Sequence, residues 1–110
     1  MRTKIHQPPA MSGRYDLRPL ETIDLTGARD AQIGLVRFAA GHRSPPEGFR
    51  SGAAHEIATL VEGRVRVDTP DGESRIVNAR DVIVSSPAEP HATTALEDTV
   101  IFYVVVDSPA

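Results

Sequence analysis

Cysteine is absent from this chain of 110 residues. That lack excludes a disulfide framework, thiolate zinc sites, iron–sulfur clusters and a cysteine nucleophile, and it suits a reducing compartment. A cytoplasmic location is therefore the expectation. Long hydrophobic runs are missing too: no apolar stretch approaches the roughly 20 residues that a spanning helix needs. The N-terminal MRTKIHQPPAMSG has no apolar centre of the kind a signal peptide carries. Excess positive charge is lacking as well. A formal net charge of −3 and a pI near 5.7 give no general attraction to phosphate backbones or anionic lipid, so neither nucleic acid nor a membrane is an expected partner. No P-loop, dinucleotide fingerprint or nucleophile elbow is present.

Helical periodicity is also missing, and what replaces it is the pattern of strands and turns. Apolar clusters are short, rich in Val and Ile, and closed by Gly, Pro, Asp or Asn. The chain reads as one domain over residues 14–106, preceded by a flexible arm at 1–13 and followed by a short tail at 107–110. Strands are expected near Tyr15–Pro19, Glu21–Leu25, Gln32–Phe38, Glu56–Val61, Arg64–Thr69, Glu73–Val77, Asp81–Ser85, His91–Ala95 and Thr99–Val106. Two hairpins are signalled, one at Glu62-Gly63 and one at Thr69-Pro70-Asp71-Gly72, where Pro fixes φ and Gly accepts a positive one. In Arg64-Val65-Arg66-Val67 the alternation sends valines to the core and arginines to water, and Arg75 and Arg80 are read as solvated in the same way. Val100 to Val106 lacks polar alternation, which calls for cover on both faces, with a subunit partner on the second. Strands at this spacing imply a sandwich or small barrel. The gap from Ala39 to Ala54 is long for a compact domain, and loops of that length are usually functional.

Two segments carry a family likeness. EIATLVEG, with Glu56 followed by Gly63, resembles the first motif of the cupins, and DVIVSSPAEPH, ending at His91, resembles their second. The likeness spans roughly Ile33 to Val106. It implies an all-β fold, a cupin-like double-stranded jelly-roll β-barrel with its pocket inside one end. It also implies a divalent metal held by a His-x-His pair, the glutamate and the second-motif histidine. In this chain the pair falls on Arg50 and Gly52, so only Glu56 and His91 match that ligand set. His42, just ahead of the loop, is the candidate third ligand for one ion of Zn, Mn, Fe or Ni.

The candidate site follows from these positions. Successive strand residues face opposite ways, so Glu56 facing in with Ala58 and Leu60 puts His55 outside, at solvent or a subunit interface. A carboxylate among inward apolar side chains needs a metal, Arg50, a ligand group or a wet pocket mouth to offset its desolvation. Arg50 either pairs with Glu56 or clamps a substrate carboxylate or phosphate, the task its planar fork suits. Ala53, Ala54, Ala58 and Thr59 leave room, and Phe38, Phe49, Phe102 and Tyr103 can wall a pocket, with Phe49 beside Arg50 as a substrate contact.

Two functions are compatible with this set. One is an enzyme of isomerase, lyase or oxygenase type acting on a small polar or anionic metabolite. With metal, Glu56, His91 and His42 coordinate it; without metal, His91 moves a proton, Glu56 orients it and Arg50 holds the anion. The other is a ligand-binding or sensing module with no catalysis. A homodimer is expected in either case.

Overall fold

The computed structural model describes residues 3–27, 29–52 and 54–107. Ala53 lies outside the described residues, as do Met1, Arg2 and the tail beyond Asp107. Nine strands and no helix occur among the described residues: β1 Tyr15–Leu25, β2 Arg29–Phe38, β3 Arg43–Ser44, β4 Ala54–Glu62, β5 Arg64–Asp68, β6 Ser74–Asn78, β7 Val82–Ser85, β8 Ala92–Ala95 and β9 Thr99–Asp107. They form two antiparallel sheets, one ordered β1-β2-β9-β4-β7 and the other β3-β8-β5-β6.

The two stretches read as separate strands at Tyr15–Pro19 and Glu21–Leu25 are one strand, bulged between Pro19 and Glu21. Pro19 is tolerated there because β1 is an edge strand, where a missing backbone donor breaks no second ladder. The turn at Glu62-Gly63 is a corner, not a hairpin: β4 pairs with β7 and β9, whereas β5 pairs with β6 and β8. Gly63, at φ 96°, lets the chain cross from one sheet to the other against Thr99. The second expected hairpin is present. Gly72 donates its N–H to the Thr69 carbonyl at 3.0 Å, at φ 91°, and β5 pairs with β6 on either side.

The core lies between the sheets. Leu60 and Val65 are fully buried, with Val36, Phe38, Ile101 and Tyr103 around them. Among the described residues Thr99 is the one polar side chain buried as deeply, and its hydroxyl is satisfied, donating to the Glu97 carbonyl at 2.8 Å and accepting from Arg64 N–H at 3.2 Å. The Val65/Val67 face turns inward and Arg64 outward, as strand alternation requires.

Candidate functional site

A cavity of about 380 Å³ opens between the sheets, within the range typical of small-molecule sites. Four residues that the sequence aligns with the two motifs, Arg50, Gly52, Glu56 and His91, all line it. Local geometry explains the convergence. Glu56 and Ala58 alternate inward on β4, while His55, Ile57 and Val61 are exposed on the other face. His91 enters from the segment before β8, where an antiparallel bridge ties it to Arg50: Arg50 N–H donates to the His91 carbonyl at 3.1 Å, and His91 N–H to the Arg50 carbonyl at 3.0 Å. The long gap is thus held at both ends, by this bridge and by β3 pairing with β8.

The polar groups have distinct partners. The Arg50 guanidinium donates through Nη2 to Ser44 Oγ at 2.6 Å, and no ion pair joins it to Glu56 among the described residues. The Arg50–Glu56 pairing considered from sequence is therefore not the arrangement adopted. Glu56 is half-buried at the cavity wall. His91 Nδ1 lies 3.2 Å from the Glu89 carbonyl oxygen. A carbonyl can only accept, so this bond places the ring proton on Nδ1 and leaves Nε2 free as a base. Tyr103 also lines the cavity, its hydroxyl 3.5 Å from Gln32 Oε1. Burial first, then the proximity of Tyr15 and Glu56, raises its pKa above the usual 10.0.

Two expected site residues are elsewhere. His42 does not line the cavity: its ring stacks on Tyr15 at 5.3 Å and tilts against Phe38 at 5.0 Å, so aromatic packing holds it behind the wall. Phe49 is exposed outside the cavity, where the Arg43 guanidinium sits 5.5 Å above its ring. Phe102 points to the outer face; Phe38 and Tyr103 do supply walls. Sequence reasoning missed Gln32, Ser44, Ser85 and Thr93, which also line the cavity. Ser85 had a usable signal, since it lies in the second motif. The other three reach the cavity only through cross-strand register.

A divalent metal does not fit this donor set. Among the described residues no three His, Asp or Glu side chains come together in a way that could hold an ion. One carboxylate and one imidazole fall short of the usual ligand number, and the Arg50 guanidinium on the same wall repels a cation.

No protein-family profile and no curated protein matches the sequence. Solved structures do match. A cupin superfamily protein of Desulfitobacterium hafniense is 15% identical over 91% of this chain and 84% of its own, with a TM-score of 0.70. An RmlC-like cupin of Desulfovibrio desulfuricans is 14% identical over 94% of this chain and 96% of its own, at 0.71. A Ralstonia eutropha protein provisionally named a mannose-6-phosphate isomerase is 18% identical over 96% and 100%, at 0.73. Together with two antiparallel sheets closing over a cavity, these likenesses identify the fold as the jelly roll of the cupins.

Proposed function

We propose that the cavity binds a small anionic metabolite through Arg50, without a divalent metal, and that His91 exchanges a proton with the bound molecule while Glu56 supports the charge that forms on it. The observation that carries this reading is Arg50 itself: its backbone is bridged to His91, its guanidinium is steadied by Ser44, and most of its five donors remain available at the cavity wall. A guanidinium held this way presents a fork to a carboxylate or phosphate. With the anion fixed, Nε2 of His91 accepts a proton from the carbon or oxygen next to it, and the Glu56 carboxylate stabilises the imidazolium that forms. The provisional name of the Ralstonia protein, a sugar-phosphate isomerase, agrees with an anionic ligand.

Calorimetric titration of the protein with 2-keto acids and phosphorylated acids, in the presence of EDTA, tests the binding. Saturable binding is expected, and Arg50→Ala should weaken it about ten- to a hundredfold, the equivalent of the ~1.5–3 kcal/mol of a charge-assisted hydrogen bond. Binding abolished by EDTA, with manganese, zinc, iron(II) or nickel retained stoichiometrically after desalting, would overturn it. Proton transfer is tested separately by following α-proton exchange of a bound 2-keto acid in D₂O by NMR. Exchange should fall roughly a hundredfold or more in His91→Gln while binding persists. A second reading, a binding module with no chemistry, draws on the breadth of the cavity's open side, where Tyr15 and Leu17 are 50% and 45% exposed and water is poorly excluded. Binding without exchange in the unmodified protein decides for it.

A further inference from the structure

Tyr103 carries a polar group that the proton transfer above leaves unused. Its register partners are Gly34 on β2 and Ala58 on β4. Gly34 lies inside a ten-residue strand and is not among the glycines with positive φ, so the backbone there does not call for glycine. A glycine within a strand weakens it and often marks a close approach by another group. Here that group is the phenol: a Cβ at position 34 would collide with the Tyr103 hydroxyl and lie 2.6 Å from its Cζ. The ring thus reaches across β2 with Tyr103 only 6% exposed, and it lines the cavity. The fold makes little use of the hydroxyl so placed. Among the described residues its one hydrogen-bond partner is Gln32 Oε1 at 3.5 Å, the far limit of such a bond. Phenylalanine would fill nearly the same volume without drawing a hydroxyl out of water. The other hydroxyls on the cavity differ: Ser44 accepts the Arg50 donor, and Ser85 and Thr93 are only half-buried.

The two kinds of donor stand on opposite walls. Arg50 and His91 follow on from the β3–β8 pairing, while Tyr103 and Gln32 belong to the five-stranded sheet, and facing sheets pack about 10 Å apart. We infer that Tyr103 is a second ligand anchor: its hydroxyl donates to an uncharged carbonyl or hydroxyl oxygen of the acid whose carboxylate Arg50 holds, so the ligand is an oxygenated short-chain acid. This deepens the anion reading above and rests on it. A phenol is suited to the task, because burial first, then Tyr15 and Glu56 nearby, keeps its pKa above 10.0 and its proton in place at neutral pH. A site built around a hydroxyl discriminates against a ligand that lacks the matching oxygen, since that hydroxyl is then left without a good partner. Arg50 alone gives no such discrimination, because it holds any carboxylate.

The test is calorimetric titration of the full chain with butyrate, 2-oxobutyrate, 3-hydroxybutyrate and 4-hydroxybutyrate, and with their primary amides. At least one oxygenated acid should bind about three- to tenfold tighter than butyrate, the span of one net hydrogen bond. Tyr103→Phe should erase that margin while butyrate binds as before, and its melting curve checks folding. A readout that needs no change at Tyr103 is available because the chain has two tyrosines. With ¹³Cζ-labelled tyrosine, the signal that remains in Tyr15→Phe belongs to Tyr103, and it should move further with the tightest oxygenated acid than with butyrate. No oxygenated acid gaining over butyrate, a margin that survives Tyr103→Phe, or a Tyr103 signal that responds alike to both ligands overturns the inference and leaves the anion reading standing. Amides that bind as tightly as the acids overturn the anion reading and with it the acid class. No binding across the series overturns both.

Discussion

His42 shows how packing decides what a histidine can do. Its ring lies against Tyr15 and Phe38, and its Nδ1 is buried without a hydrogen-bond partner among the described residues. Burial, and secondarily the charge of Arg14, lower its pKa from the usual 6.5. The unfolded chain therefore takes up a proton near pH 6.5 that the folded chain refuses, so stability is highest above that pH and declines as the pH falls through it. His42→Phe keeps the ring packing and removes the titration. Melting curves at pH 8 and pH 5.5 should show the variant at least as stable as the parent, with its advantage larger at the lower pH; an advantage unchanged by pH would contradict this account. The sequence offered His42 as a ligand because it stands near the start of the long gap, but nothing in a linear chain reveals that two rings from β1 and β2 pack against it. Arg50, Glu56 and His91 were legible for the opposite reason, since motif position and, for Glu56, strand parity bring them to one cavity.

Strand alternation is where sequence and fold agree most closely, and the exceptions have physical causes. Val65 and Leu60 fall on the inner face as their period of two demands, and the β5–β6 turn follows from Pro70 and Gly72. β3 was hidden because two residues carry no period, and the corner at Gly63 looked like a hairpin because a glycine between two strands has the same local signature in both. What separates the two turns is crowding. A Cβ on Gly63 would collide with the Thr99 hydroxyl and lie 2.6 Å from the Asp98 carbonyl oxygen, while a Cβ on Gly72 meets nothing within 4 Å, although both have positive φ. Urea titration should accordingly show Gly72→Ala costing about 1–2 kcal/mol, the left-handed backbone penalty alone, and Gly63→Ala costing about 3 kcal/mol or more. Equal costs would mean that the corner yields and that Gly63 does not fix how the two sheets are joined. Gln32, Ser44 and Thr93 were not legible at this scale either, because their place at the cavity depends on which strands pair across the sheets.

The outer face of the five-stranded sheet is a property of the whole molecule. Ile57, Val82 and Val84 stand there beside Phe102, Val104 and Val106, and Val82 and Val84 are 65% and 69% exposed. At the β1 end, Lys4 and His6 of the N-terminal arm meet Glu21, while Pro8, Pro9 and Met11 cover the corner formed by Leu35, Val61 and Val100. Among the described residues nothing covers the β4–β7 end in this way. The molecule exposes 7210 Å², against about 5,900 Å² for a typical monomer of 11.9 kDa. Even with the arm contributing part of the difference, the excess is of the size that one side of a stable interface removes, roughly 800 Å². We propose a second copy of the chain as the occupant: the outward residues of β7, β9 and the body of β4 carry no formal charge, which suits a two-fold self-pairing and gives an oppositely charged partner nothing to recognise. Light scattering during gel filtration should give a mass near twice 11.9 kDa. Ile57→Glu combined with Val84→Glu places two carboxylates at exposed positions that a monomer tolerates and an apolar interface does not, so the variant should elute as a folded monomer. Because residues alternate faces along β4, that disruption leaves Glu56 and Ala58 on the cavity wall, and ligand affinity should change less than threefold. A parent that is monomeric at tens of micromolar, or a double variant that still dimerises, would remove the outer face from the interface.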